Sequence, residues 1–150
     1  MSTRSYIGYV RDDGTVQAIY CHNSGYLEGV GKTLFECYTA EEKVFELLGL
    51  GDISSLKEGL SPRPGEKHSF DAPCPGITIA YHRDRGEDWE MNKPSTFENV
   101  AALLDSALKG MCEYVYLFEF PLRISSCWRC YELSTDPPKS YYLKASSFDE

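Results

Sequence analysis

The chain has 150 residues, 42% hydrophobic and 13% aromatic, with 11 Tyr and 7 Phe; a chain of this size and composition can bury a core and lies far from the disordered class. Its 23 acidic and 15 basic residues give a formal charge of −8, which repels phosphate backbones and anionic lipid and so disfavours unaided binding to duplex nucleic acid or a membrane surface. No run approaches the ~20 apolar residues of a bilayer span, no apolar signal segment follows Met1, and six irregularly spaced cysteines suit reduced thiols, so the expectation is a cytoplasmic protein without structural disulfides.

In chain order, residues 6–10 and 15–21 alternate in hydrophobicity around Asp13-Gly14, the signature of a β-hairpin. Over residues 26–38 the period changes: Val30, Leu34, Cys37 and Tyr38 share one helical face, with Gly29 and Gly31 weakening the first turn. Thr39 followed by Glu42 has the form of a capping box for a second helix carrying Val44, Phe45, Leu47 and Leu48, and Gly49 and Gly51 end it.

Residues 52–76 are rich in Gly, Pro and Ser and predict a long loop, of the kind that is commonly functional or mobile. Residues 77–81 predict a strand running into the charge cluster at 82–88. Ser95 and Glu98 suggest a second capping box, opening a helix with a stripe of Phe97, Val100, Ala101, Leu104 and Leu108. Residues 113–120 and 128–133 predict a second hairpin, connected through Pro121, Ser125 and Ser126. The expectation is one α+β domain over residues 1–136, with an antiparallel or mixed sheet of about five strands and about three helices packed on one face, in the order ββααβαββ. Residues 137–150 are left as a C-terminal tail without assigned structure.

Two constellations could carry chemistry. Cys21, His22, Cys127 and Cys130 are thiols and an imidazole of the kind that hold zinc, although strand alternation sends Cys127 and Cys130 to opposite faces, and packing thiols are the competing reading. His82-Arg83-Asp84-Arg85-Gly86-Glu87 combines guanidinium forks suited to phosphate or carboxylate with a turn glycine. Lys67 and His68 on the preceding loop, together with Arg4, could complete a nucleotide-phosphate pocket; mutual neutralisation on a solvated loop is the alternative. No nucleotide-binding or hydrolase motif occurs, so neither catalysis nor a cofactor is expected. Aromatic residues such as Tyr26 are candidate anchors for a protein partner.

Several motifs together, Met1-Ser2-Thr3-Arg4-Ser5, Tyr20-Cys21-His22 with Gly25-Tyr26, 51–56 (GDISSL), His68-Ser69-Phe70, 80–87 (AYHRDRGE) and 113–118 (EYVYLF), resemble a family of small proteins carried by phages, prophages and plasmids. The resemblance spans roughly residues 1–120; Asn23-Ser24 and Leu27 depart from it, where Trp-Asp and Pro are expected. It implies a non-enzymatic accessory protein that inhibits a host defence system, such as CRISPR-Cas, by binding an effector protein. A sponge for a phosphate-bearing nucleotide signal and a zinc-stabilised or metal-dependent small enzyme are the alternatives.

Overall fold

A computed structural model of the chain describes residues 2–120 and 127–148. The strands are β1 (Ser5–Val10), β2 (Val16–Cys21), β3 (Ile53–Ser55), β4 (Ile79–Ala80), β5 (Ser95–Phe97), β6 (Tyr114–Glu119), β7 (Cys127–Glu132) and β8 (Lys139–Tyr142). The helices are α1 (Lys32–Cys37), α2 (Glu41–Leu48), α3 (Tyr81–Arg85), α4 (Trp89–Asn92) and α5 (Val100–Lys109), with a π-helical turn at Leu27–Gly31 and a 3-10 turn at Ala145–Phe148. The class is α+β and the sheet is mixed, ordered β4-β3-β2-β1-β6-β7-β8 with β5 also paired to β2. The parallel pairing of β1 with β6 joins the N-terminal hairpin to the C-terminal strands. The additional strands and helices are mostly elements of two to five residues, too short to leave a periodic signal.

The helices lie on both faces of the sheet, where the sequence suggested one. Ile7, Ile19, Tyr116 and Trp128 pack with Val30, Leu34, Val44 and Leu47 from the π turn, α1 and α2. Their strand neighbours Ala18, Val115 and Leu117 pack with Leu103 and Ala107 of α5. Adjacent strand residues point to opposite faces, so the central strands must be apolar on both. Tyr114–Glu119 accordingly has four consecutive buried residues.

The first hairpin forms as expected. Its turn closes through Arg11 N–H to Thr15 O (2.8 Å) and Gly14 N–H to Arg11 O (2.9 Å), with Gly14 at φ +89°. The Val30, Leu34 and Tyr38 stripe is buried, but its first turn is π-helical. Gly29 and Gly31 permit that close packing: a Cβ at Gly29 would lie 2.3 Å from the Ser24 carbonyl, and one at Gly31 would lie 3.1 Å from the Tyr116 ring.

Neither expected capping box forms. The N-cap of α2 is Ala40, without a side-chain bond. Ser95–Phe97 pairs with β2 as β5, and α5 starts later, capped by Asn99, whose side chain accepts the Ala102 N–H at 2.8 Å. A free edge on β2 competes for the same residues and wins, because pairing satisfies several backbone groups where a cap satisfies one or two. The charged run expected after a strand at residues 77–81 begins instead with the one-turn helix α3, ended by Gly86 at φ +75°. Within residues 137–150, Lys139–Tyr142 pairs with β7 and Leu143 is buried, so much of the expected tail belongs to the sheet and its core. The expected connection at Pro121, Ser125 and Ser126 lies outside the described residues.

Gly51 separates two kinds of glycine cost. It sits at φ +75°, and a Cβ there would lie 2.3 Å from the Asn92 carbonyl, whereas Gly65, at φ +89°, has open space around it. Gly65→Ala should therefore destabilise by about 1 kcal/mol from backbone strain, and Gly51→Ala by about 3 kcal/mol from strain plus collision, in urea denaturation.

Candidate functional site

The 52–76 stretch is organised around a return crossing. Gly59 bridges Ile77, with Gly59 N–H to Gly76 O at 3.0 Å and Thr78 N–H to Gly59 O at 2.9 Å, so residues 60–76 leave and rejoin the body at one place. Tyr38 Oη donates to the Lys57 carbonyl at 2.6 Å and fixes the near end of this excursion to α1.

Three of the sequence-predicted residues meet beneath it. His68 and Asp84 have side chains only 2% exposed, 3.2 Å apart. The Cys74 amide donates to His68 Nδ1 at 2.9 Å, so that nitrogen must be the acceptor and Nε2 carries the proton. Nε2–H then lies 3.2 Å from both Asp84 Oδ2 and the Thr78 carbonyl. Arg83 grips the same carboxylate as a fork, Nε to Oδ1 at 2.8 Å and Nη2 to Oδ2 at 3.0 Å, and also donates to the carbonyls of Thr78 and Leu60. The Ala80 amide adds a further donor to Asp84 Oδ2 at 2.8 Å. Burial alone would raise the Asp84 carboxyl, but the Arg83 and Ala80 hydrogen bonds and the charge of Arg83 hold it below the usual carboxylate range.

This arrangement is a structural latch. The Arg83 fork that could have held a phosphate is committed to Asp84 and two backbone carbonyls. Arg85 lies 4.7 Å above the Phe70 ring and 3.6 Å from Glu87, both Arg85 and Glu87 being exposed. His82 Nδ1 donates to the Glu87 carbonyl at 2.7 Å and its ring packs on Trp89. The Lys67 carbonyl accepts the Cys74 thiol. Arg4 bonds the Gly110 carbonyl at the end of α5, and its charge acts on Cys112 and Tyr20. Among the described residues these cations are not gathered into a single phosphate pocket.

The zinc reading is not supported by the placement of its residues. Among the described residues no group of three or more His, Cys, Asp or Glu side chains is placed to hold a metal ion. Burial pushes the thiols of Cys21 and Cys130 up to about 12 and raises that of Cys127, as suits thiols packed in a core. His22 is engaged by the Tyr20 hydroxyl at 2.7 Å.

Beside the return crossing lies a groove of two joined parts. One, of about 380 Å³, is lined by Tyr26, Glu28, Thr33, Glu36, Lys57 and Glu58 among others; the second, of about 740 Å³, includes Lys43, Arg63, Glu66 and Pro75, and the two share Cys37, Glu58 and Gly76. Tyr26 is 44% exposed at its rim. The charged side chains that line the groove are Glu28, Glu36, Glu58 and Glu66 against Lys43, Lys57 and Arg63, and the excess of carboxylates lies in the first part, where Glu28, Glu36 and Glu58 face Lys57 alone. Among the described residues none of Glu28, Glu36 and Glu58 is in an ion pair. Sequence reasoning singled out Tyr26 and missed these glutamates, whose spacing crosses the π turn and so follows no single helical period.

No protein-family model, curated protein or solved structure matches the chain.

Asp52 is a second group the sequence did not flag. β2 is paired at Cys21 by β3 and at Val16–Ala18 by β5; in the gap between them the Asp52 carboxylate accepts the Tyr20 amide at 2.9 Å. Burial pushes this carboxyl from 3.8 up to about 6. The folded state thus binds more protons than the unfolded state between those values, and stability falls as pH rises through that window. Asp52→Asn keeps an acceptor for Tyr20 and removes the buried charge. It should stabilise the protein by about 1–2 kcal/mol at pH 7.5, after discounting for partial solvent contact, and give no gain at pH 4, as read by urea denaturation at both values.

Proposed function

We propose that this chain is a non-enzymatic binding protein whose acidic groove docks a basic surface of a partner protein, and that the partner is a host-defence effector such as a CRISPR-Cas nuclease complex. The observation that carries the binding mode is the trio of carboxylates Glu28, Glu36 and Glu58, in no ion pair among the described residues, lining one part of the groove with Lys57 and the exposed ring of Tyr26. Carboxylates and an aromatic face suit lysine and arginine side chains through Coulomb attraction and cation–π contact. The class of partner follows from the resemblance to phage and plasmid accessory proteins. An effector that normally holds nucleic acid presents the basic groove such a surface requires. The nucleotide-sponge alternative has less support, since the Arg83 guanidinium is committed within the fold.

The test mixes tagged protein with purified effector complexes and follows co-elution and nuclease activity. A stoichiometric complex that inhibits cleavage and weakens about tenfold as salt rises from about 50 to 300 mM is expected. The Glu28→Lys, Glu36→Lys double variant should lose the complex while remaining folded. Undiminished capture by that variant would remove the groove from the account, and absence of any retained effector would remove the function.

A further inference from the structure

Residues 60–76 touch the rest of the molecule in an uneven way. Many of their hydrogen bonds are local: Glu66 N–H to Arg63 O, Arg63 N–H to the Glu66 carboxylate, Ala72 N–H to Ser69 Oγ, and the Cys74 thiol to Lys67 O. Most of the segment is exposed. Leu60, next to the crossing, is buried in the core with Leu34 and Val44; beyond it, the contacts of the segment with the body converge on α3 and the residues just before it. Arg83 holds the Leu60 carbonyl, Asp84 and Thr78 hold His68, the Phe70 amide donates to the Asp84 carbonyl at 2.9 Å, and the Phe70 ring stacks on Tyr81 and under Arg85. A segment with little apolar burial and one polar anchorage belongs to the low-stability end of a fold, where opening is local and cooperative.

The same segment builds one side of the groove. Arg63, Glu66, Pro75 and Gly76 line its second part opposite Cys37 and Lys43. We propose that residues 61–76 are a strap that opens as a unit about the crossing at Gly59 and the buried Leu60, that the Asp84 latch holds it shut, and that strap closure and docking of a basic partner are coupled because the closed strap supplies a wall of the groove. A ligand that contacts only the closed form shifts the strap toward closure, and a broken latch must lower the ligand's affinity by the same linkage. Asp84 and His68 are then positioning residues, buried out of reach of any partner. This inference rests on the groove reading of the preceding subsection.

Asp84→Asn leaves the shape of the carboxylate and removes its charge; His68→Ala is the second latch variant, and intact exchange protection of β1 and β6 shows that each is folded. Hydrogen exchange of the full chain is measured with and without a ten-residue Arg-Gly repeat peptide at low salt, with a Glu-Gly repeat as control. In either variant, amides across 61–76 should exchange together about tenfold faster or more, and the Arg-Gly peptide should bind about fivefold or more weaker than to wild type; on wild type, the peptide should slow strap exchange. Unchanged strap exchange in both folded variants overturns the latch. A strap that opens with no loss of peptide affinity overturns the coupling. Failure of wild type to bind the Arg-Gly peptide in preference to the Glu-Gly one overturns the groove reading, and the coupling with it, separately from the exchange result that judges the latch.

Discussion

The site is organised by one carboxylate. Asp84 receives the Arg83 fork, the Ala80 amide and the protonated nitrogen of His68, and the donors come from three separate short pieces of chain. α3 is a single turn, β4 has two residues, and the 60–76 excursion carries few buried side chains. A buried charge pair is weak support for stability in itself, but removing one partner leaves the others unpaired in a dry site and is costly. The carboxylate therefore matters more for fixing where these short elements lie than for overall stability.

That local order is built onto a frame of a different kind. β1 and β6 are held by apolar residues on both faces, with the π turn, α1 and α2 on one side and α5 on the other. Three of the basic residues near the excursion are committed: Arg83 to the latch, Arg85 to Phe70 and Glu87, Lys43 to the Glu58 carbonyl and the Tyr38 ring. The first part of the groove thus keeps three carboxylates, Glu28, Glu36 and Glu58, that are in no ion pair among the described residues, beside the single cation Lys57.

Much of the frame was legible in the sequence, because hairpins and amphipathic helices write their periods into it. The turn at Asp13-Gly14, the stripe of Val30, Leu34 and Tyr38, and the antiparallel pairing of the two later strands have direct counterparts, whereas α5 buries Leu103 and Ala107 and leaves Leu108 of the expected stripe exposed. The capping box at Ser95 misled because pairing to the edge of β2 outweighs a local demand, while at Thr39 the helix starts one residue later, with Ala40 as N-cap. The second helical face was missed because a continuous apolar run such as 115–118 does not say that both its sides are covered. At the site, the cluster 82–87 was recognised as a concentration of chemistry, but sequence alone cannot tell a guanidinium turned inward to carbonyls from one offered to phosphate. His68 and Asp84 were both named, and only the crossing at Gly59 explains why they meet. Glu28, Glu36 and Glu58 carried no local signal; they become a group because the π turn and the return crossing bring separate segments to one groove.

The most direct test of the account is a hydrogen-exchange footprint of the protein bound to its captured effector. Protection confined to the groove, over residues 26–36, 57–66 and 75–77, with the open edge of β8 exchanging as in the free protein, is the result the account predicts. Protection along β8 and the Arg129 side of the sheet, with the groove unchanged, would contradict it and place the docking surface on the other end of the sheet.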